Sequence, residues 1–497
     1  MKIYHLRVDD QKNPCGIDST QPIFSWNVQT ETKNWKQENF RIIVSDQREQ
    51  LEKNVGNVWD SRECDSQEHH SWKVPSSSMV QISYAGKALK SSTYYYWKVL
   101  ILPRGENEWI ESEIASFETA FFHAAEWKGA WIGEKENFQI HMFRKTFKAE
   151  KKIEKARLYI CGLGHYEAFI NGRRVGDRVL EPGWTNYNKT CLYSVYDITS
   201  QVKKGENGIG IFLGDGMYNV VKKRYVYYER SFGKMKFLAQ LRLTFEDGTN
   251  QIIVTDDSWK MASGPLTYSN LYGGEDYDAR LEQDGFSCGD FIENNTWMPV
   301  SIVAPPKGKL VVQSTPALKV MEEYKAIQIT KLGDGSYVYD FGKNFSGWVT
   351  MKLSLPKEGL EGSKINLYPA ELIKEDGQPD QWITETIIVN YICNDKRKQE
   401  YTPKFTYTGF RYVKVTGAIP TGESNENSLP LIEALTGEFI YPDMEKVGSF
   451  SCSNELFNQI HQIVNQAMKS NIKSIFTDCP HREKLGWMEE THSLGRQ

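Results

Sequence analysis

The stretch YEAFINGRRVG, residues 166–176, decides the fold class of this chain. Its apolar side chains alternate with others as far as an Asn-Gly pair at 171–172, which is the strongest short signal for a β-hairpin turn. A second hairpin is predicted within residues 245–254, where Phe-Glu-Asp-Gly leads into an apolar run. Long loops interrupt these strands, so residues 125–303 are expected to form a jelly-roll sandwich.

Both flanks of this region carry the same period-two pattern. On the N-terminal side, residues 1–122 hold short predicted strands such as 24–28, 40–44 and 94–100. Their spacing is typical of an immunoglobulin or fibronectin-III sandwich. On the C-terminal side, a proline-rich joint at 304–308 leads into a third β segment.

The third β segment covers residues 308–440. Its predicted strands include 337–342, 405–407 and 410–415. We expect these strands to share one sheet of a further sandwich. The chain is therefore predicted to be mainly β, with three tandem β-sandwich domains.

The pattern changes from strands to a helix after Pro442. Ser453 can cap a helix, and apolar residues then recur at helical spacing at positions 456, 460, 463, 464, 467, 468 and 475. Pro480 forbids continuation, so the helix is expected to end near residue 477. Its wide apolar stripe needs a partner, which is either the third sandwich or a domain that this sequence does not contain.

Composition limits the classes of function. The 497 residues are 25% charged and 40% hydrophobic with a net charge of -4, so nothing points to nucleic acid or an anionic membrane as a partner. No apolar run approaches the ~20 residues of a membrane span, and the first residues lack the apolar core of a secretory signal. The eight cysteines are scattered without a CxxC pair, which fits a reducing compartment. We therefore expect a cytoplasmic protein of three or four domains.

Two sets of loop residues in the second domain are further candidates for binding. Aromatic residues make up 13% of the chain, and although sandwich cores account for most of them, flat rings also bind sugars. Trp184 and Tyr187 are candidates for such a sugar platform, or else for a buried sandwich corner. Asp215 and Asn219 could hold calcium through their oxygens, although loop capping by the aspartate is the alternative.

The chemically richest stretch is DCPHREKLGWMEETH, residues 478–492, beyond the predicted helix. It holds four carboxylates, two basic residues, two histidines and a tryptophan. Glycoside hydrolysis needs one protonated carboxylic acid for the leaving oxygen, and a second carboxylate that activates water or acts as nucleophile. A solvated polar loop is the alternative interpretation of this composition. The spacing of Cys479, His481 and His492 fits no zinc pattern.

The order and spacing of Asp-Cys-Pro, Arg-Glu and Leu-Gly-Trp in this stretch closely resemble the signature of bacterial α-L-rhamnosidases, glycoside hydrolase family 78. Further motifs that resemble this family lie along the chain, among them FSW at 24–26, GWTNY at 183–187 and DFGKN at 340–344. The resemblance implies a fibronectin-like domain, a carbohydrate-binding-like jelly roll and a concanavalin-like sandwich. It also implies that residues 441–497 are the start of an (α/α)6 barrel, the six-hairpin α-toroid that forms the catalytic domain.

The same resemblance implies roles for residues of the motif. Glu483 matches the general acid of the family, and Asp478 and Glu490 match residues that contact rhamnose hydroxyls. Arg482 is expected to line the pocket or orient the carboxylates, and Trp487 to form its apolar wall. Neighbouring anions favour a protonated Glu483 whereas Arg482 opposes it, and the sequence does not decide which effect is larger.

The activity implied by the resemblance is inverting hydrolysis of terminal non-reducing α-L-rhamnose from an oligosaccharide or plant glycoside. No cofactor is expected to be required, and calcium is the one candidate ion. The family's general base lies several hundred residues further on, so this chain is expected to be a truncated enzyme, weakly active or inactive. A stand-alone carbohydrate-binding β-sandwich protein without catalysis is the alternative.

Overall fold

The chain forms two compact units, which we describe separately. The computed structural model describes residues 1–62, 77–134, 141–221, 224, 229–382, 387–425 and 428–490, so His492 lies outside the described residues. The first unit comprises residues 1–128, 193–197 and 310–314, and the second comprises residues 129–192, 198–309 and 315–497.

The first unit contains a sandwich of two β-sheets, as its alternating runs predict. Phe24 and Trp26 from one sheet pack with Trp97 and Phe117 from the other, and all four side chains are buried. One short helix, α1, covers Arg48–Glu52. The strands are Lys2–Val8, Cys15–Ile17, Ile23–Gln29, Gln37–Ser45, Trp59–Asp60, Ile82–Ser83, Tyr94–Pro103, Ile110–Glu111 and Ala115–Thr119.

The second unit contains the hairpin that the Asn-Gly pair predicts. Tyr166–Ile170 pairs with Arg173–Arg174 in antiparallel register. Asn171 and Gly172 between them have φ of 50° and 80°, the left-handed backbone that a two-residue turn of this type requires. The second predicted hairpin also forms, within residues 236–254. Both predictions are confirmed.

These two hairpins belong to facing sheets, which pack through aromatic rings. Phe143 from the first sheet lies edge-to-face with Phe237 from the second at 5.1 Å, and Phe237 in turn contacts Trp259 at 5.3 Å. The strands of this part are Ile132–Gly133, Met142–Ala149, Ile153–Leu163, Tyr166–Ile170, Arg173–Arg174, Thr190–Asp197, Gly205–Leu213, Asn219–Val220, Arg230–Ser231, Lys236–Phe245, Asn250–Val254, Lys260–Ala262, Leu266–Asn270, Gly274–Asp278, Met298–Pro299 and Ser301–Ile302.

The third β segment forms a large sheet around the long strand Tyr337–Ser354. Phe345, Phe410 and Phe439 fill the core on one of its faces. Lys309–Val312, at the start of this segment, lies outside the large sheet. The other strands of this part are Leu318–Lys325, Gln328–Lys331, Tyr337–Ser354, Lys364–Ala370, Leu372–Ile373, Pro379–Asp380, Ile388–Ile392, Lys398–Tyr401, Thr408–Thr416, Ile419–Pro420 and Leu431–Pro442.

Two features of this sheet differ from the sequence prediction. Residues 405–407 are not a strand, because the backbone N–H groups of Lys404 and Phe405 donate to the buried carboxylate of Glu275 instead of a neighbouring strand. The hairpin of residues 266–278, which we assigned to the second sandwich, pairs with Ile388–Ile392 and so extends the third sheet. Residues 266–278 therefore belong to the sheet of the third sandwich, although local sequence patterns assign them to the second.

Helix α2 covers Glu455–Asn471 and is shorter than predicted at both ends. Its N-cap is Asn454, not Ser453, since the Asn454 side chain accepts the Leu456 N–H at 3.0 Å. It ends at Asn471, not near residue 477, because Thr477 donates its N–H and hydroxyl to the Asn471 carbonyl at 2.9 and 2.7 Å and turns the chain back. Ile475 therefore lies outside the helix. No helix among the described residues is long and apolar enough to cross a lipid bilayer.

The apolar stripe of α2 remains open while its C-terminal half contacts the third sheet through polar groups. Leu456 and Ile463 are 60% and 66% exposed. Gln466 donates to the Asn344 carbonyl at 2.9 Å, and Lys469 forms an ion pair with Glu322 at 2.7 Å. The third sandwich thus holds one end of the helix and leaves most of its apolar face uncovered.

Candidate active site

The motif of residues 478–487 follows α2 on a loop that is fixed to the third sheet. Lys473, buried just before the motif, donates to the Ser346 hydroxyl at 2.6 Å and the Ile440 carbonyl at 2.7 Å. The carbonyl of Pro480 accepts the Gly409 N–H at 3.1 Å. Glycine is required at 409, since a Cβ there would lie 2.7 Å from Pro480 Cγ. The β-sheet therefore sets the position of the loop.

Within this loop the structure brings Asp478 and Glu483 together. The N–H of Asp478 donates to the Leu485 carbonyl at 2.9 Å, and the Leu485 N–H donates to Asp478 Oδ1 at 3.1 Å. The Glu483 N–H contacts Cys479 Sγ at 3.4 Å, and the hydroxyl of Tyr272 donates to the Glu483 carbonyl at 2.6 Å. These backbone contacts close the loop and place two carboxyl groups side by side.

The pKa of Glu483 is raised from its ordinary value of 4.5. A hydrogen bond with Asp478 is the largest cause, followed by partial burial and by the negative charge of Asp478. Arg482, whose Nη2 lies 3.9 Å from Glu483 Oε1, and His481 oppose the shift. The effect of Asp478 on the pKa of Glu483 is thus larger than the opposing effect of Arg482.

The other two motif residues, Trp487 and Glu490, follow this turn in the chain. Trp487 is 50% exposed, so its ring is available for contact with a ligand. Glu490 belongs to a helical turn that begins at Met488. A carboxylic acid with raised pKa can protonate a glycosidic oxygen, and the neighbouring carboxylate, arginine and exposed indole are groups that can bind a sugar.

Sequence reasoning missed the contacts that fix this loop from outside. His481 Nε2 lies 3.4 Å from a carboxylate oxygen of Glu371. Burial favours the neutral imidazole, but hydrogen bonds with Cys479 and Glu371 raise the pKa of His481 to about 9. Lys484 is 1% exposed, and burial lowers its pKa to about 7. Glu371 and Tyr272 are more than 100 residues away in sequence, so no local signal could have found them.

The candidate sugar platform is only partly open. Tyr187 is buried and lies edge-to-face with Tyr218 and Phe232, each at 5.2 Å, whereas Trp184 is half-buried and lines a small cavity beside Lys484. The role of Trp184 in a sugar platform stays a prediction. The ring of Tyr187 is buried, which agrees with the alternative of a buried sandwich corner.

The candidate calcium residues contact each other. The Asn219 amide donates to Asp215 Oδ1 at 2.8 Å, and the Ser231 hydroxyl donates to Asn219 Oδ1 at 2.7 Å. These are the contacts of a capped loop. No group of three or more His, Cys, Asp or Glu side chains in the described part of the chain is arranged to hold a metal ion.

Four family models match successive parts of the chain. They are the Rha78A-like N-terminal immunoglobulin domain at residues 3–123, the alpha-L-rhamnosidase N-terminal domain at 151–322, the bacterial alpha-L-rhamnosidase concanavalin-like domain at 330–441, and the bacterial alpha-L-rhamnosidase 6 hairpin glycosidase domain at 445–497.

Individual relatives match nearly the whole chain. An alpha-L-rhamnosidase of Formosa agariphila is 32% identical over 97% of this chain and 52% of its own length. The solved alpha-L-rhamnosidase of Dictyoglumus thermophilum is 37% identical, with a TM-score of 0.87 over 99% of this chain and 55% of that one. That of Aspergillus terreus is 30% identical, with a TM-score of 0.87 over 100% of this chain and 55% of that one. The chain spans about half the length of the relatives it matches.

Proposed function

Because this chain belongs to the bacterial α-L-rhamnosidase family, glycoside hydrolase family 78, we propose that it supplies the proton-donating part of a site that hydrolyses terminal α-L-rhamnosides. The observation that carries the proposal is the pairing of Glu483 with Asp478, which raises the pKa of Glu483. A carboxyl group must be protonated before it can act as general acid at a glycosidic oxygen.

In the proposed reaction, Glu483 gives its proton to the leaving oxygen as the bond from the anomeric carbon to that oxygen breaks. Water then adds to the opposite face of the sugar and gives inversion, with a second carboxylate as the base that accepts its proton. The family resemblance assigns that base to a residue several hundred positions after Glu483. Arg482, 3.9 Å away, stabilises the Glu483 carboxylate once the proton has left.

The proposed substrate is a rhamnose-containing oligosaccharide or glycoside, in agreement with the names of the relatives. Asp478 and Glu490 would accept hydrogen bonds from rhamnose hydroxyls. The half-exposed ring of Trp487 would pack against the apolar face of the sugar. A cytoplasmic location and a calcium ion also stay predictions.

The test is a calorimetric titration of the chain with L-rhamnose, together with an assay of rhamnose release from an aryl α-L-rhamnoside. We expect rhamnose to bind, Asp478→Asn to weaken binding at least about tenfold, and no release above the uncatalysed rate. Glu400→Gln, an exposed carboxylate on the third sheet, is the control and should bind as the parent does.

Each deviation from this result has a distinct meaning. Binding that Asp478→Asn does not alter would contradict the proposed site and favour a carbohydrate-binding sandwich protein. Release of rhamnose would show that a base is supplied within these residues or by a second copy. Absence of binding by the parent chain would contradict sugar recognition by this loop alone.

A further inference from the structure

The residue that follows the proposed acid is a lysine whose side chain enters the protein interior. Lys484 Nζ donates to the backbone carbonyls of Leu271 at 2.7 Å and Tyr407 at 2.6 Å. It lies 4.9 Å from the ring centroid of Tyr272 and 4.5 Å from that of Tyr407. Both hydrogen-bond acceptors are carbonyls from segments far away in sequence, so one amine joins the acid loop to two parts of the β-region.

The backbone of Lys484 lies between the attachments of the two carboxyl-bearing residues. On its N-terminal side, the Glu483 carbonyl accepts the hydroxyl of Tyr272 at 2.6 Å. On its C-terminal side, the Leu485 N–H donates to Asp478 Oδ1 at 3.1 Å. Lys484 itself has φ of 51°, a left-handed backbone that a lysine adopts only when its surroundings enforce it. Lys484 thus lies in the turn that connects the two carboxyl-bearing residues.

We propose that Lys484 is a positioning residue that fixes the separation of the Glu483 and Asp478 carboxyl groups. The inference rests on the proposed function in taking Glu483 as the acid. Without the amine, the carbonyls of Leu271 and Tyr407 would each lose one donor, with the Thr406 hydroxyl still donating to Leu271 at 3.1 Å, and the left-handed turn would lose the contacts that hold it. The loop would relax, Glu483 would leave Asp478, and the cause of its raised pKa would weaken.

The chain offers a closely matched control in Lys473. This lysine is also buried, also donates to protein oxygens, and lies 5.3 Å from the same Tyr407 ring. It does not lie between the two carboxyl groups. Lys473 anchors the start of the loop and not the turn between the two carboxyl-bearing residues. Lys473→Met should therefore lower stability with a smaller change at Glu483 than Lys484→Met produces.

The experiment follows the Glu483 carboxyl by 13C NMR of the glutamate-labelled full chain between about pH 3 and about pH 8, with Glu483→Gln as the assignment variant. Amide hydrogen exchange at Leu485 is measured on the same proteins. Lys484→Met should lower the pKa of Glu483 by at least about 0.5 and speed Leu485 exchange at least about tenfold. Lys484→Arg, which keeps two donors, should have the same Glu483 pKa and the same Leu485 exchange rate as the parent chain. Lys484→Gln, which keeps one carbonyl contact, replaces the methionine variant if that variant does not fold.

Two results would overturn the inference. One is a folded Lys484→Met or Lys484→Gln protein with unchanged titration of Glu483 and unchanged exchange at Leu485. The other is an equal effect of Lys473→Met on both measurements, which would mean that any lost buried lysine loosens the loop. If Glu483 of the parent chain titrates at its ordinary pKa, the proposed function is contradicted, and the exchange at Leu485 still decides whether Lys484 holds the loop.

Discussion

Glu322 holds the C-terminal half of α2 on the third sheet, and we expect its replacement by glutamine to loosen the helix. Its carboxylate accepts hydrogen bonds from Lys469 Nζ at 2.7 Å, from the Tyr441 hydroxyl at 2.8 Å and from the Tyr324 hydroxyl. The Lys469 ammonium also lies 4.7 Å from the ring centroid of Tyr441. The apolar stripe of α2 is open, and this cluster is one of the polar contacts that attach the helix, together with those of Gln466 and the Ser470 carbonyl.

The magnitude follows from the pKa of Glu322. Partial burial raises it, but hydrogen bonds from Lys469 and the two tyrosines outweigh burial and lower it from 4.5 to about 2. A shift of this size corresponds to about 3 kcal/mol. The Glu322 side chain is 30% exposed, so solvent screening reduces the contribution to about 1–2 kcal/mol. Since the folded-state pKa is depressed, the contribution is present above about pH 4.5 and is lost as the pH falls toward about 2.

The assay is amide hydrogen exchange of residues 455–471 at neutral pH, which gives the free energy of local opening of α2. Glu322→Gln should lower this free energy by about 1–2 kcal/mol, and a double-mutant cycle with Lys469→Met should recover a coupling of about 1 kcal/mol. Glu400→Gln is the control, because Glu400 and Lys352 form an exposed pair at 3.5 Å. Equal protection of α2 in Glu322→Gln and Glu400→Gln would refute the reasoning.

Three further changes should alter the acid loop in defined ways. Asp478→Asn should lower the pKa of Glu483 toward its ordinary value, because Asp478 supplies the largest cause of the shift, and 13C NMR titration measures it. Gly409→Ala should lower the free energy of urea unfolding by about 1–3 kcal/mol through overpacking, whereas Gly333→Ala, in open space, should change it by less than about 0.5 kcal/mol. His481→Gln should remove a contribution that is present below about pH 6.5 and lost as the pH rises through about 9, since the folded-state pKa of His481 is raised.

These expectations fail in recognisable ways. An unchanged titration in the Asp478→Asn protein would show that another group raises the pKa of Glu483. Equal stability of the Gly409→Ala and Gly333→Ala proteins would show that the loop does not pack tightly on the sheet. A difference in unfolding free energy between the parent and His481→Gln proteins that stays constant between about pH 6 and about pH 10 would show that the imidazole is not held charged.

The fold class was predictable because it depends on local patterns. Alternating side chains place strands, and an Asn-Gly pair supplies the positive φ values of a hairpin turn, so the hairpin of residues 166–174 follows from sequence. The failures occurred where long-range contacts overrode local preference. Residues 405–407 are apolar and alternating, yet their approach to the buried Glu275 removes the strand pairing. Helix α2 ends six residues early because Thr477 returns to the Asn471 carbonyl.

The sequence by itself determined the mainly β architecture, the position of the acid motif and the identity of Glu483 as the candidate acid. Only the tertiary structure decided that Asp478 outweighs Arg482 in setting the pKa of Glu483, and that Lys484 is buried beneath the loop. The physical reason is that a pKa depends on distances of a few ångström and on burial. Strands that are far apart in the chain but neighbours in a sheet fix those quantities, and local sequence does not contain them.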